Sequence, residues 1–201
     1  MEVKTIKSDL LDENCFLVVD KNSGKGVVID PGARAEKILN EVVGVKVEYL
    51  FLTHNHFDHI RSAREIKKAT GAKIIIGAKD AEGVNDLEKN YSFVLGARIE
   101  KIEIDCLVSG GEKFKVGKVF IEIISTPGHT GGGICLLVKD EKDSALFTGD
   151  TLFRDGMGRT DLVGGSSEEL EVSLKKLEKI IKLHPGIKVF PGHGLSFCPF
   201  A

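Results

Sequence analysis

Short blocks of β-branched and aromatic residues, each closed by turn formers, dominate the first third of the chain. Segments 3–6, 15–20, 26–30 and 47–53 follow this rule, and each predicts a strand. Segments 73–76, 99–106, 113–116, 119–126, 134–139, 145–148 and 186–190 read the same way. The period lengthens in three places. Over 34–43, Ile38, Leu39 and Val42 fall on one helical face. Over 58–70, a second helix opens at Asp58 and stops before Gly71. The clearest helix is 167–183, where Leu170, Leu174, Leu177 and Ile181 recur at helical spacing. Ser166 and Glu169 form a capping-box pattern ahead of it, lysines crowd its last turns, and Pro185-Gly186 stops it. Gly110-Gly111 and Gly117-Lys118 are placed to make hairpin turns. Segment 79–94 has no clear period and is read as one helix and a loop. Many strands with few interleaved helices depart from a strict βαβ alternation. The pattern therefore predicts two largely β sheets covered by helices rather than a doubly wound sheet.

Composition narrows the class. The 201 residues suffice for one domain with a sizeable core, expected to span 1–201. With 42% hydrophobic and 29% charged residues, the chain is of ordinary globular type rather than disordered. Lys plus Arg (28) nearly balances Asp plus Glu (30) and no basic stripe stands out, which weighs against a nucleic-acid partner. No apolar run approaches the roughly 20 residues that cross a bilayer. Residues 1–12 have no signal-peptide core, so a cytoplasmic address without membrane association is the expectation. Cys15, Cys106, Cys135 and Cys198 are scattered, which fits free thiols better than a disulfide framework or a Cys-type zinc site. The absence of Gln beside abundant Lys and Glu resembles thermophile usage.

The candidate chemistry lies in turns. Five of the six histidines sit in turn segments after predicted strands. The sixth, His184, follows a helix and precedes a proline, and reads as a helix-end residue at the dipole's negative pole. The densest segment is Thr53-His54-Asn55-His56-Phe57-Asp58-His59. In extended chain, residues two apart point the same way, so His54 and His56 share one side. The turn into the helix brings Asp58 and His59 round to a second position. Four potential ligands in six residues are enough to grip two metal ions. A helix N-terminus disfavours an imidazolium, so His59 is expected to stay neutral. Three further strand ends run into Pro127-Gly128-His129, Gly149-Asp150-Thr151 and Pro191-Gly192-His193. Each of these alone could be structural. Together His129, Asp150 and His193 complete two coordination spheres. Nitrogen and carboxylate donors without cysteine suit Zn²⁺, and Fe or Mn also fits.

The ordered set His54-x-His56-x-Asp58-His59, His129, Asp150 and His193 resembles the metallo-β-lactamase superfamily. The likeness runs from Asp30-Pro31-Gly32 to Pro191-Gly192-His193. It implies an α+β fold, a four-layer αβ/βα sandwich with two mixed sheets flanked by helices. Thr148-Gly149-Asp150-Thr151-Leu152-Phe153 followed by Gly158-Arg159-Thr160-Asp161-Leu162 is similar to the glyoxalase II (hydroxyacylglutathione hydrolase) branch, whose members hydrolyse thioesters. By that resemblance, His54, His56 and His129 hold one divalent ion. Asp58, His59 and His193 hold the other, and Asp150 bridges. A metal-bridging hydroxide attacks the thioester carbonyl, and a thiol with a pKa near ~8.5 leaves readily. Asp58 and Asp150 are then the catalytic carboxylates, and the substrate is a small thioester or ester. The branch alternative is a persulfide dioxygenase with one Fe²⁺ on His54, His129 and Asp150, and a lactonase or phosphodiesterase shares the scaffold. The chain departs from the family pattern at Ile60-Arg61-Ser62-Ala63, where glycines are usual. Arg61 is placed either to meet an anionic substrate or as a solvated helix residue. Only eight residues follow His193, so the helical region that contributes to glutathione binding in full-length glyoxalase II has no counterpart. Arg159 with Asp161 reads as a salt bridge shaping the metal loop. Asp30 reads either as an acceptor orienting a ligand histidine or as a strand-end turn residue.

Overall fold

Period-2 alternation sorts the apolar residues of each strand onto two faces, and both faces of each sheet find a partner. The computed structural model describes residues 1–97 and 100–199. One sheet contains β1 (Glu2–Lys7), β2 (Asn14–Asp20), β3 (Lys25–Ile29), β4 (Lys46–Leu52), β5 (Lys73–Gly77) and β6 (Cys106–Val108), in that spatial order. The other contains β7 (Lys113–Val116), β8 (Val119–Ser125), β9 (Ile134–Lys139), β10 (Ser144–Gly149) and β13 (Lys188–Pro191), in the order β13-β10-β9-β8-β7. A small ribbon joins β11 (Leu152–Phe153) to β12 (Gly156–Met157). The helices are α1 (Ala35–Glu41), α2 (Phe57–Ile60), α3 (Ala63–Thr70) and α4 (Ser167–Leu183).

Between the sheets, Phe16, Val18, Ile29, Phe51 and Ile75 meet Ile121, Leu136, Val138, Phe147 and Phe190. The residues that alternate with them, Leu17, Val28, Leu50, Leu52, Ile74 and Ile76, pack outward on Ile38, Ile60 and Ile66 of the first three helices. On the far side, Cys135, Leu137, Leu146 and Val189 pack on Leu177 and Ile181 of α4. This is the helix–sheet–sheet–helix sandwich the sequence predicts. Both sheets are mixed: β3-β4-β5-β6 and β10-β13 are parallel, and the other pairings within the two sheets are antiparallel. Among the described residues, no helix is long and apolar enough to cross a membrane.

Most predicted boundaries hold to within a residue or two, and α4 matches in full. Ser166 Oγ accepts from the Glu169 amide at 3.2 Å, as a helix cap should, but the hydroxyl itself donates to Glu168, so only half of the capping box forms. Four expectations are corrected. The helix expected over 58–70 is two helices. The Ser62 amide donates to Pro31 O at 2.9 Å, and its hydroxyl donates to Ala33 O at 2.7 Å. The Asp58 carbonyl that Ser62 would have used is pressed against Gly32, where an added Cβ would stand 1.6 Å from that oxygen. The strand expected over 99–106 is regular only from Cys106 on, and Ile99 lies outside the described residues. Ile102 gives its amide and carbonyl to the Asn85 side chain, and Asp105 Oδ2 takes the Ile74 amide, so a ladder cannot start earlier. The 79–94 segment holds two short 3₁₀ turns, Ala78–Asp80 and Gly83–Asn85, and no α-helix. Asn90 bonds the Val84 carbonyl and the Ser92 amide there, the local competition that keeps such segments out of regular structure. Gly110-Gly111 is not a hairpin turn. It carries the chain from β6 in one sheet to β7 in the other, whereas Gly117-Lys118 does close the β7–β8 hairpin.

Candidate metal centre

β8, β10 and β13 all point toward one edge of their sheet, and β3 and β4 are parallel in the other. The turns that follow β4, β8, β10 and β13 carry His54 to His59, His129, Asp150 and His193 to that shared edge. Aromatic packing fixes two of these strand ends. Phe147 stacks on Phe190 at 5.0 Å between ring centroids, and both meet Phe16 edge-on. Close backbone approach fixes the turns themselves. A Cβ at Gly192 would stand 2.4 Å from Asp150 Oδ1, and one at Gly158 would stand 1.9 Å from Asp150 O. Gly149 has φ +46°, which few residues with a side chain adopt.

All seven predicted side chains converge. His54 and His56 share a side, as expected, with ring centroids 4.6 Å apart, and both face His129. Three groups can each hold an ion, with ligand atoms within 4.8 Å of one another: His54, His56 and His129; His54, His59 and Asp150; Asp58, His59 and His193. His56 Nδ1 lies 3.0 Å from His129 Nε2, and His59 Nε2 lies 3.3 Å from His193 Nε2. Asp150 lies between the groups. Its Oδ1 is 3.4 Å from His59 Nε2, and its Oδ2 is 3.6 Å from His129 Nε2 and 3.5 Å from His193 Nε2.

The outward ring nitrogens are anchored. His59 Nδ1 donates to Asp30 Oδ2 at 3.0 Å, His129 Nδ1 to Arg159 O at 2.8 Å and His193 Nδ1 to Leu11 O at 3.0 Å. His54 Nδ1 meets the Thr53 hydroxyl at 3.0 Å. Asp30 is therefore the acceptor that orients a histidine, rather than a plain turn residue. Its carboxylate also takes the Thr53 amide and hydroxyl, each at 2.7 Å. Arg159 and Asp161 make a two-point salt bridge with both contacts at 2.7 Å, which shapes the loop whose carbonyl holds His129. Arg61 does not reach toward a substrate; it pairs with Asp9, which also binds Arg34. His184 is the residue that ends α4, as predicted.

Protonation follows burial and charge. Burial, then the neighbouring imidazoles, hold His54 well below its ordinary value, and the same causes bring His56 down to about 3. Burial opposes charge on His59 too, but Asp58, Asp150 and Asp30 outweigh it and raise its pKa. In the absence of a cation the three carboxylates therefore favour charge on His59, against the helix-end expectation of a neutral ring. α2 has only four residues, and its N-terminus cannot match three carboxylates. A bound cation would compete for the same lone pair, releasing that proton. His193 is raised against burial by Asp58 and Asp150, and Asp58 is lowered against burial by His59 and His193.

Two residues beside the centre escaped the sequence reading. Tyr91 stacks edge-on against His56 at 5.1 Å, and its phenol oxygen accepts the Val163 amide at 2.8 Å. It sits at φ +60°, a strained backbone for an aromatic residue. Asp80 is 2% exposed and bonds Thr130 and Gly132, just after His129. Neither belongs to a periodic segment or a ligand string.

The chain is similar to known proteins over most of its length. The family model described as the metallo-beta-lactamase superfamily matches residues 8–193. An uncharacterized protein of Aquifex aeolicus is 36% identical over 96% of this chain and 90% of its own. The hydroxyacylglutathione hydrolase GloC of Haemophilus influenzae is 30% identical over 96% and 91%. A probable metallo-hydrolase of Bacillus subtilis, YqgX, is 32% identical over 89% and 83%. Among solved structures, the BLEG-1 B3 metallo-beta-lactamase superposes with a TM-score of 0.87 at 26% identity, covering 98% of this chain and 93% of that one. TTHA1623 in a di-iron-bound form superposes at 0.78 and 28%, covering 96% and 93%. ETHE1 from Myxococcus xanthus superposes at 0.77 and 25%, covering 97% and 76%. With the sandwich, the converging histidines and aspartates and this span of likeness in agreement, the chain belongs to the metallo-β-lactamase superfamily.

Proposed function

We propose that the protein is a dinuclear metal-dependent hydrolase of small thioesters. One observation carries the metal assignment. His54 Nε2, His56 Nε2 and Asp150 Oδ1 are buried with no hydrogen-bond partner, beside pairs of imidazole nitrogens only 3.0 and 3.3 Å apart. Each unpartnered buried polar atom costs about 1–3 kcal/mol, and converging lone pairs add repulsion. Divalent cations fit this donor set of nitrogens and carboxylates, with zinc the first candidate and iron the second. His54, His56 and His129 would hold one ion, Asp58, His59 and His193 the other, and Asp150 stands where both can share it. When bound, such ions polarise a carbonyl and make water nucleophilic near neutral pH.

The chain's own groups prepare that chemistry. Asp30, Arg159 O and Leu11 O each hold a proton on an Nδ1, so a bound cation would take the inward Nε2 of each ring in place of any proton there. Asp30, 1% exposed, is sealed from water by the fold. A thioester suits the centre because a thiolate with a pKa of about 8.5 needs no protonation to leave. The hydroxyacylglutathione hydrolase relative supports this substrate class. The alternative, one Fe²⁺ on His54, His129 and Asp150 with oxygen chemistry, leaves His56, Asp58, His59 and His193 without a role.

The test combines metal analysis with turnover of a lactoyl-thiol ester. Two ions per chain and chelator-sensitive hydrolysis restored by zinc or iron are expected. Asp150→Asn should lose most activity while staying folded, and His184→Ala should keep it. One iron per chain with oxygen uptake on a persulfide, or hydrolysis that survives chelation, would overturn the reading.

A further inference from the structure

We propose that Asp80 is a positioning residue, a buried clamp that holds the His54–His56 turn and the His129 turn at the separation one ion requires. The inference deepens the metal-dependent reading above and rests on it. Asp80 comes from the far end of the first sheet's β5 and enters none of the ligand groups. Its Oδ2 accepts the Thr130 hydroxyl at 2.7 Å, and its Oδ1 accepts the Gly132 amide at 2.6 Å. Burial raises its pKa, while Thr130, then Gly132, then the Asn55 backbone act against that rise. The carboxylate thus binds the turn in which Thr130 follows His129, and Gly83, three residues on, packs against the side chain of Asn55, which separates His54 from His56.

The backbone around Asp80 is fitted to the same task. A Cβ at Gly132 would stand 2.4 Å from Asp80 N and 2.7 Å from its Oδ1. One at Gly77 would stand 1.9 Å from Gly132 O, and one at Gly83 would stand 1.8 Å from Asn55 Nδ2. Gly77 therefore presses on the backbone of the turn after His129 at a distance only glycine permits, and Gly83 packs on the Asn55 side chain. A buried carboxylate with short charge-assisted bonds resists displacement more than neutral partners would. Its partners Thr130 and Gly132 adjoin His129 of the His54, His56, His129 group, and neither adjoins a member of the Asp58, His59, His193 group.

Asp80→Asn retains the shape. Its carbonyl oxygen can keep the Gly132 amide only if its NH₂ turns to the Thr130 hydroxyl, which must then accept instead of donate, and the negative charge that strengthened both bonds is lost. Zinc and Co²⁺ titrations of the apoprotein against a competing chelator read the effect directly, with Co²⁺ absorption reporting ligand geometry. In wild type we expect two ions. In Asp80→Asn we expect one of them weakened about tenfold, the lower end of what disturbed ligand support costs, with an altered Co²⁺ spectrum and the other unchanged. A His193→Ala background, which keeps the His54, His56, His129 group, should show the same tenfold loss on its remaining ion. If Asp80→Asn does not fold, Thr130→Val, which removes one donor, decides by the same titration with a smaller loss. A lowered apoprotein melting temperature with both ions bound as in wild type would overturn the clamp and leave Asp80 structural. A wild-type chain that binds neither zinc, iron nor cobalt overturns the functional reading, and the clamp falls with it.

Discussion

Asp30→Asn isolates the link between the fold and the centre. Asp30 is 1% exposed and stands at φ +49°, a backbone that asparagine tolerates, so the change adds no strain. Its Oδ1 accepts the Thr53 amide at 2.7 Å, and that N–H cannot turn away. In the variant the remaining carbonyl oxygen must stay there, which forces the new NH₂ toward His59 Nδ1. The Thr53 hydroxyl can rotate and accept from it, but His59 must then accept on Nδ1 and carry its proton on Nε2. That places a proton where a lone pair is needed, opposite His193 Nε2 at 3.3 Å. The lost charge-assisted bond is worth about 1.5–3 kcal/mol. At about 1.4 kcal/mol per factor of ten, the Asp58, His59, His193 group should bind zinc roughly 10- to 100-fold more weakly. Chelator competition on the apoprotein measures this, and the melting temperature of the same apoprotein controls for folding. Wild-type zinc affinity at both positions would refute the tautomer argument.

Three further outcomes are expected. Gly192→Ala puts a methyl 2.4 Å from Asp150 Oδ1 and 2.7 Å from His59 Cε1, so turnover should fall about 100-fold with little change in the far-UV circular dichroism. Zinc added to apoprotein should raise the melting temperature in a concentration-dependent way. At 100 times Kd the gain is about 2.7 kcal/mol, or roughly 5–10 °C for a chain of this size, and calorimetry showing no shift would count against a metal centre. Asp105, held below its ordinary 3.8 mainly by Lys67 and the Ile74 amide against burial, should stabilise the fold above pH 3.8 and lose that effect as acid protonates it. Asp105→Asn should therefore cost up to about 1 kcal/mol in urea at pH 7, with a difference that closes at lower pH, since the pair is partly exposed.

The ligand-type residues were legible because each is announced locally. His54 to His59 form one string, and His129, Asp150 and His193 each follow a strand and a glycine turn. The central strands were legible because both of their faces are covered, as β2, β3, β9 and β10 show, so burial acts at nearly every position along them. What could not be read depends on contacts made far along the chain. The 58–70 helix breaks because Gly32 takes the space in front of the Asp58 carbonyl, and nothing within 58–70 records that. The strand at 99–106 starts late because Asn85 occupies Ile102, a partner 17 residues away. Asp80 bonds Thr130 across 50 positions from a segment without any period. His59 was expected neutral from a helix end alone, whereas the fold brings three carboxylates round it that favour charge on the ring until a cation replaces the proton. The donor types of this centre are thus written in local strings, whereas their spacing and protonation are set by side chains remote in sequence. It follows that variants of Asp30 and Asp80 should shift metal affinity while every predicted ligand remains in place.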